Sequence, residues 1–410
     1  MSNEVLRRLF LLAAAALCAW TTSAPAQSRL VLTGVTVIDG TGAEPQRNRT
    51  VIITGNHIDT IVAASRTASI PSGARVVRAN GKFLIPGLWD MHVHLGPNHL
   101  SALVANGITG VRDMGNTLSE VDAWRAQIAA GALVGPWIFR VGPTLNGKAF
   151  GPAHVEIASD AEARTAVRVL KHVGVDAIKT HRALSREAYF ALSDEAKRIS
   201  IPFVGHIPQT VTAQEASDAG QASFEHMETL FEGNAPLKRE DAAALFARFV
   251  KNNNAFTPTL VNYRGSTEPA NIDPELLQKY PDLPAGRKRM FASFVELVGV
   301  MNDAGVTLMT GSDLGSKWIL PGSSLHDELQ LFVDAGLTPM QAIQAATRNP
   351  ARFLGANAGT VEPKKVANLV ILDANPLDDI RNTRRIFGVV LNGKFLDRAQ
   401  LLTLTRAPQK

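Results

Sequence analysis

The sequence contains only one cysteine in 410 residues, Cys18, and it lies in a segment that we expect to be removed. Residues 1–26 have the layout of a secretory signal peptide. An arginine pair at 7–8 precedes an apolar run at 9–20 and a small-residue cleavage site at 24–26. The mature chain would then carry no disulfide bond, and its expected location is the periplasm or the exterior.

The remainder has no apolar run long enough to span a bilayer, and its charges form no stripe. The formal net charge is +5, and the densest basic group, Arg287–Arg289, is typical of a solvated helix face. We therefore expect no nucleic acid partner and no stable membrane association. The hydrophobic content of 45% is that of an enzyme-sized globular protein.

The two ends of the mature chain have a similar pattern of short apolar strands separated by turn residues. Residues 27–84 contain hairpin signals at Gly55-Asn56 and Asn80-Gly81, and residues 356–410 contain one at Asn392-Gly393. Neither segment has enough strands to bury a sheet face alone. We predict that both ends combine into one small β-sandwich.

Residues 85–355 instead alternate short apolar strands with helical stretches, which indicates βα units and a parallel sheet. The predicted strands are 87–95, 108–114, 137–141, 175–181, 201–207, 223–228, 255–260 and 306–314. No glycine-rich nucleotide fingerprint follows the first strand, so an open dinucleotide-binding sheet is disfavoured. The sequence predicts an α/β fold, a (β/α)₈ TIM barrel whose catalytic groups lie at the carboxyl ends of the strands.

The first predicted strand ends in His92-Val93-His94. Side chains on a strand alternate between faces, so the two histidines point the same way and can bind one metal ion. Two hydrogen-bonded core histidines are the alternative. Further metal-competent side chains fall at the ends of strands four, five, six and eight, namely Lys179, His206, His226 and Asp313. Six such groups around one barrel mouth favour a metal centre.

Several motifs resemble those of the amidohydrolase superfamily. They are residues 85–94, Gly110-Val111-Arg112-Asp113, Thr310-Gly311-Ser312-Asp313 and residues 367–373. The similarity covers nearly the whole mature chain and is greatest to the binuclear branch of Xaa-Pro dipeptidases, related carboxypeptidases and ochratoxinase-like amidases. The flanking strands also match the small sandwich of that family.

The resemblance implies two divalent metal ions. His92, His94 and Asp313 would bind the more buried ion, and His206 and His226 the more exposed one. Lys179, carboxylated on its amine, would bridge both, because an ammonium group cannot bind a cation. Zinc is the default for a histidine-rich site. The implied mechanism is attack by a metal-bridging hydroxide, with Asp313 as the catalytic acid and base.

Substrate contacts are less clearly marked. Relatives often have a tyrosine two residues beyond the bridging lysine, where this chain has His181 followed by Arg182, so strict dipeptidase specificity is in doubt. His154 lies in a predicted loop at 142–158, and Tyr263 begins a predicted loop at 261–290 that is long enough for a lid. We take His154, His181, Arg182 and Tyr263 as candidate substrate-binding residues.

The favoured hypothesis is a secreted binuclear metallohydrolase that cleaves an amide bond in a dipeptide or an N-acyl amino acid. One alternative within the superfamily is a cyclic amide or lactone hydrolase. An alternative of another class is a non-catalytic periplasmic binder of a small molecule. Family analogy also suggests a homo-oligomer.

Overall fold

The computed structural model of the protein describes residues 28–64, 70–231 and 237–406. The predicted signal peptide, residues 1–26, lies outside the described residues. Strands occur along the described chain in the following order: β1 (Arg29–Val37), β2 (Gln46–Thr54), β3 (His57–Ala63), β4 (Arg75–Arg78), β5 (Phe83–Pro86), β6 (Leu88–Val93), β7 (Ile108–Asp113), β8 (Trp137–Arg140), β9 (Thr144–Asn146), β10 (His154–Glu156), β11 (Ile178–Thr180), β12 (Phe203–Gly205), β13 (Ser223–Glu225), β14 (Ala255–Thr257), β15 (Thr307–Leu308), β16 (Leu369–Leu372), β17 (Ile386–Leu391) and β18 (Lys394–Asp397).

The α-helices separate most of the central strands. They are α1 (Leu100–Ala105), α2 (Leu118–Ala129), α3 (Asp160–His172), α4 (Arg186–Arg198), α5 (Ala213–Asp218), α6 (Arg239–Lys251), α7 (Leu260–Ser266), α8 (Pro274–Lys279), α9 (Leu283–Ala304), α10 (Ser323–Asp334), α11 (Pro339–Ala345), α12 (Arg348–Phe353) and α13 (Arg398–Arg406). None of these described helices is both long and apolar enough to cross a membrane.

Strands from both chain ends join in one eight-stranded sheet, in the order β18-β17-β16-β5-β1-β2-β3, with β4 paired to β1. The two ends meet where β16 pairs antiparallel with β5, for example at Val370 and Ile85. This pairing explains why neither end needs a complete sheet of its own. The sheet has its own apolar cluster, which includes Leu32, Val51 and Ile371.

The central strands are parallel and confirm the predicted α/β class. A three-stranded sheet has the order β6-β7-β8, and a seven-stranded sheet has the order β10-β9-β11-β12-β13-β14-β15. Each of the eight predicted central strands contains an observed one. The prediction for 306–314 was too long, because only Thr307–Leu308 has strand geometry. The predicted loop at 142–158 was wrong in part, because it contains β9 and β10, and His154 begins β10.

The segment after β15 remains hydrogen bonded to β6 although it is not a regular strand. The amide of Met91 donates to the carbonyl of Thr310 (2.9 Å), and the amide of Asp313 donates to the carbonyl of His92 (2.9 Å). The amide of His94 donates to the carbonyl of Leu314 (2.6 Å). Asp313 is thereby fixed beside the two histidines of the first central strand.

The predicted long loop at 261–290 was wrong, because most of this segment is helical. Asp273 accepts a hydrogen bond from the amide of Glu275 at the start of α8, and Pro274 occupies the first helical turn. Pro284 likewise lies in the first turn of α9. Proline is tolerated there because the first amides of a helix have no partner within the helix. These prolines begin helices and do not indicate a loop.

Candidate metal centre

All six predicted metal ligands lie at or beyond the carboxyl ends of central strands. His92 lies in β6 and Lys179 in β11, and the others follow β6, β12, β13 and β15 (His94, His206, His226 and Asp313). His92 and Lys179 are fully buried, whereas the side chains of His94 and Asp313 remain 41% and 15% exposed. The centre is thus open to solvent on the side of His94.

Three of these residues already have the spacing of a metal site. Ligand atoms of His92, His226 and Asp313 all lie within 4.8 Å of one another. Asp313 Oδ1 lies 3.6 Å from His92 Nε2 and 3.7 Å from His94 Nε2, and Asp313 Oδ2 lies 3.9 Å from His226 Nδ1. One carboxylate therefore faces three imidazoles.

The remaining two predicted ligands adjoin this cluster. The ring centroid of His206 lies 4.7 Å from that of His226, and His206 Nδ1 is buried with no hydrogen-bond partner among the described residues. The Lys179 amine donates a hydrogen bond to the carbonyl of Met114. Burial lowers the pKa of Lys179 to about 8, against the opposing effect of Asp313 and other acids. A lowered pKa leaves more of the amine unprotonated at neutral pH.

His92 is oriented by a buried ion pair. Its Nδ1 lies 3.0 Å from Glu225 Oε2, and Glu225 Oε1 accepts a hydrogen bond from Arg112 Nη2 (2.7 Å). Burial, and then the nearby His226, holds the pKa of His92 well below its usual range, so the ring is neutral at pH 7. Since a carboxylate accepts, Nδ1 carries the proton and Nε2 keeps a free lone pair. That Nε2 is buried without a hydrogen-bond partner in the described structure, which fits a metal ligand.

A second acid joins the two chain segments behind the centre. Asp90 accepts hydrogen bonds from the amide of Ser312 (2.9 Å), the hydroxyl of Ser312 (2.5 Å) and the amide of His92 (3.3 Å). Burial raises the pKa of Asp90 to about 7. Asp90 therefore fixes the spacing between His92 and the segment that carries Asp313.

The backbone is strained at three positions around the centre. His226, Thr259 and Asp313 have φ angles of +66°, +52° and +59°. Such angles are uncommon outside glycine, and they are least favourable for a β-branched residue such as Thr259. The hydroxyl of Thr259 lies 2.8 Å from His226 Nδ1, so the strain places a polar group against a predicted ligand.

The four candidate substrate-binding residues form two groups of contacts. The ring of His181 is 4.4 Å from that of His206 and 6.0 Å from that of His154. The other two contact Glu228. Arg182 Nη1 is 3.4 Å from the Glu228 carboxylate, and the backbone amide of Glu228 donates to the Tyr263 hydroxyl (3.4 Å). Burial lowers the pKa of His181 to about 4.

The sequence interpretation assigned no role to the supporting residues, although Arg112 and Asp113 belong to one of the motifs. Arg112 and Asp113 stand within an otherwise apolar strand, and Glu225 directly precedes His226 in another, so charge inside a buried strand was the available signal. Asn262 and Trp318 gave no such signal. Asn262, in helix α7, contacts Asp313, and Trp318, in the segment after β15, contacts Asn262; only the structure shows these contacts.

Comparisons with known proteins agree with this geometry. The sequence profile of the amidohydrolase family matches residues 83–396. Ochratoxinase of Aspergillus niger is 25% identical over 84% of this chain and 81% of its own length. Dihydroorotase of Pelotomaculum thermopropionicum is 24% identical over 90% of this chain and 95% of its own. The structure of a candidate prolidase from Bifidobacterium longum superposes with a TM-score of 0.77 at 26% identity, covering 93% of this chain and 100% of that one.

The profile match spans more than half of the chain and contains every predicted ligand. The resemblance inferred from the motifs is therefore confirmed. The chain belongs to the amidohydrolase family and is a hydrolase of carbon–nitrogen bonds.

Proposed function

We propose that the protein hydrolyses an amide bond of a dipeptide or an N-acyl amino acid at a centre of two divalent cations. The observation that carries this proposal is the convergence of His92, His226 and Asp313 within 4.8 Å at the ends of three strands. The names of the ochratoxinase and prolidase relatives support an amide substrate. A non-catalytic binder would not be expected in a hydrolase family.

The donor set fits two cations. His92, His94 and Asp313 would bind the inner cation, and His206 and His226 the outer one. Lys179 would bridge them after its neutral amine adds carbon dioxide, and its burial favours that neutral form. Bound divalent cations would supply Lewis acidity, which activates a water molecule and polarises the scissile carbonyl. Zinc suits the histidine-rich set best.

Asp313 is the group that we assign to proton transfer. Its carboxylate lies between the histidines and is partly open to solvent, so it can reach both a water molecule and a bound substrate. Asp313 would accept the proton of the attacking water and deliver it to the leaving nitrogen. Glu225 keeps His92 in one tautomer, and Thr259 restrains the ring of His226.

Substrate recognition is assigned to His154, His181, Arg182 and Tyr263. Arg182 is partly exposed and only loosely paired with Glu228, at 3.4 Å. A substrate carboxylate would offer its guanidinium a better, bidentate partner. The hydroxyl of Tyr263 accepts a hydrogen bond from the backbone amide of Glu228, so Tyr263 and Arg182 contact the same residue.

We also infer that the central strands close into one (β/α)₈ barrel and that the eight-stranded sheet folds into a sandwich. Backbone hydrogen bonds between β6 and residues 310–314 support closure on one side. On the other side, the amide of Asp176 donates to the carbonyl of Arg140 (2.7 Å), joining β8 to the segment before β11. The domain boundaries at 84/85 and 355/356, the signal peptide, the periplasmic or secreted location and the homo-oligomer remain predictions.

A second candidate function is hydrolysis of a cyclic amide or a lactone. The dihydroorotase relative aligns over 95% of its own length, which favours this reading. Both candidates need the same cations and the same catalytic carboxylate. They differ only in whether the two products of cleavage stay joined.

The test is elemental analysis of the purified mature protein, followed by assays on a mixed library of Xaa-Pro dipeptides and N-acyl amino acids. About two metal ions per chain with amide cleavage is the expected result. Two ions without cleavage would redirect the search to cyclic amides and lactones. One ion would contradict the bridging role of Lys179. No metal after incubation with zinc and bicarbonate would overturn the proposal.

A further inference from the structure

We infer that Asn262 and Trp318 form a positioning pair that holds the carboxylate of Asp313 in one orientation. This inference rests on the proposed role of Asp313. Asn262 lies in α7 and donates to the carboxylate, and Trp318, in the segment after β15, donates to Asn262. In the described structure, neither residue forms a hydrogen bond with any predicted metal ligand other than Asp313.

The direction of each hydrogen bond follows from the chemistry of the groups. Trp318 Nε1 lies 2.8 Å from Asn262 Oδ1 and 3.1 Å from the Asn262 carbonyl oxygen. An indole N–H can only donate, so the oxygen of the Asn262 amide must face Trp318. The amide nitrogen then faces Asp313 and donates to Oδ2 at 2.6 Å. The indole therefore removes the ambiguity that an asparagine amide otherwise has.

Such a restraint is needed because the terminal torsion of an aspartate has a broad, shallow energy profile. With Oδ2 engaged by Asn262, Oδ1 is left facing His92 and His94 at 3.6 and 3.7 Å. The left-handed backbone of Asp313 places the side chain here, but it does not fix the rotation of the carboxylate. Asn262 supplies that second constraint.

The pair is itself held rigidly. The first two amides of α7, from Leu260 and Val261, donate to the two oxygens of the buried Glu328 at 3.0 and 2.7 Å. Trp318 packs directly over Gly265, where an added Cβ would lie 2.1 Å from the indole ring. Glycine is therefore required at position 265 for Trp318 to reach Asn262.

The kinetic test compares Asn262→Ala, Trp318→Phe and the double variant on the amide substrate of the wild-type holoenzyme. We expect Asn262→Ala to lower kcat about 10- to 100-fold with KM within about twofold, as for other groups that orient a ligand. Trp318→Phe should have a smaller effect of the same kind. The double variant should equal Asn262→Ala, because Trp318 acts only through Asn262.

Trp137→Phe is the matched control, since Trp137 is exposed at the start of β8, away from the carboxyl ends of the strands that carry the centre. It should retain wild-type kinetics. Gly265→Ala should reproduce Trp318→Phe without altering either polar group. Two results would overturn the inference. One is a loss of kcat in the double variant equal to the product of the losses in Asn262→Ala and Trp318→Phe. The other is a loss of activity that appears only in KM.

A second readout does not depend on activity. In protein labelled with ¹⁵N-tryptophan, the indole N–H of Trp318 should exchange slowly with solvent. Asn262→Ala should accelerate that exchange, because it removes the nearer of the two acceptors and leaves only the backbone carbonyl. Metal content should stay that of the wild type in every variant. Unchanged exchange in Asn262→Ala would overturn the pairing. Absence of amide cleavage by the wild type would instead count against the proposed function, and the exchange data would still be readable.

Discussion

Glu225→Gln is the substitution that most directly tests the support of His92. It removes one negative charge with almost no change in volume. Glu225 is fully buried and accepts hydrogen bonds from Arg112 Nη2 (2.7 Å) and Ser223 Oγ (2.6 Å), while its other oxygen faces His92 Nδ1 (3.0 Å). The variant would leave the guanidinium of Arg112, also fully buried, without its counter-charge.

The expected loss is large because both partners are inaccessible to solvent. Removing one member of a buried ion pair typically lowers the free energy of unfolding by about 3–5 kcal/mol. Arg112 keeps its bonds to the Met91 carbonyl and the Ser223 hydroxyl, so we expect a value near the lower end, about 3 kcal/mol. Metal affinity should also fall about 10- to 100-fold, because His92 loses the carboxylate that fixes its tautomer.

The assay is urea unfolding of the metal-free protein, monitored by circular dichroism and tryptophan fluorescence. Metal affinity is measured separately by competition with a chelator. The double variant Arg112→Met, Glu225→Gln is the control, since it removes both charges and should recover part of the lost stability. A loss below about 1 kcal/mol in Glu225→Gln, with unchanged metal affinity, would show that this ion pair does not support the centre.

Three further outcomes are expected. Asp313→Asn should retain much of the bound metal but lose turnover, as measured by elemental analysis beside the amide assay; an active variant would reject its role in proton transfer. Removal of metal by a chelator should abolish activity, and zinc with bicarbonate should restore it in the wild type but not in Lys179→Ala. Burial lowers the pKa of His326 to about 4, below the unfolded value near 6.5, so the unfolded state binds more protons and stability should fall by up to about 3 kcal/mol as the pH drops from 6.5 to 4. His326→Gln should flatten that part of the stability profile, and an unchanged slope would contradict the assignment.

The predicted ligands could be found from sequence because the chemistry of a parallel α/β fold concentrates at strand ends. His206 and His226 each directly follow a short buried strand, and Lys179 lies within one. Such positions are readable from hydrophobic pattern alone. Asp313 was found differently, since the strand before it is only two residues long; the motif at 310–313 identified it where the pattern of strands was misleading.

The partners of the supporting groups could not be predicted, because they are distant in sequence. Glu225 lies 133 residues from His92 and 113 from Arg112. Asn262 is separated in sequence by 51 residues from Asp313 and by 56 residues from Trp318. No local periodicity encodes such contacts, since each depends on how the strands and helices pack around the centre.

The segment 261–290 shows how the missed structure bears on the proposed chemistry. Its length and position suggested an active-site lid, but the structure begins it with a helix anchored by Glu328. A lid would allow Asn262 and Tyr263 to approach the centre only when substrate is bound. The helix fixed at its first two amides instead holds Asn262 against Asp313 in the structure without substrate. The proposed catalytic carboxylate is therefore oriented before substrate arrives, which would lower the reorganisation required in the transition state.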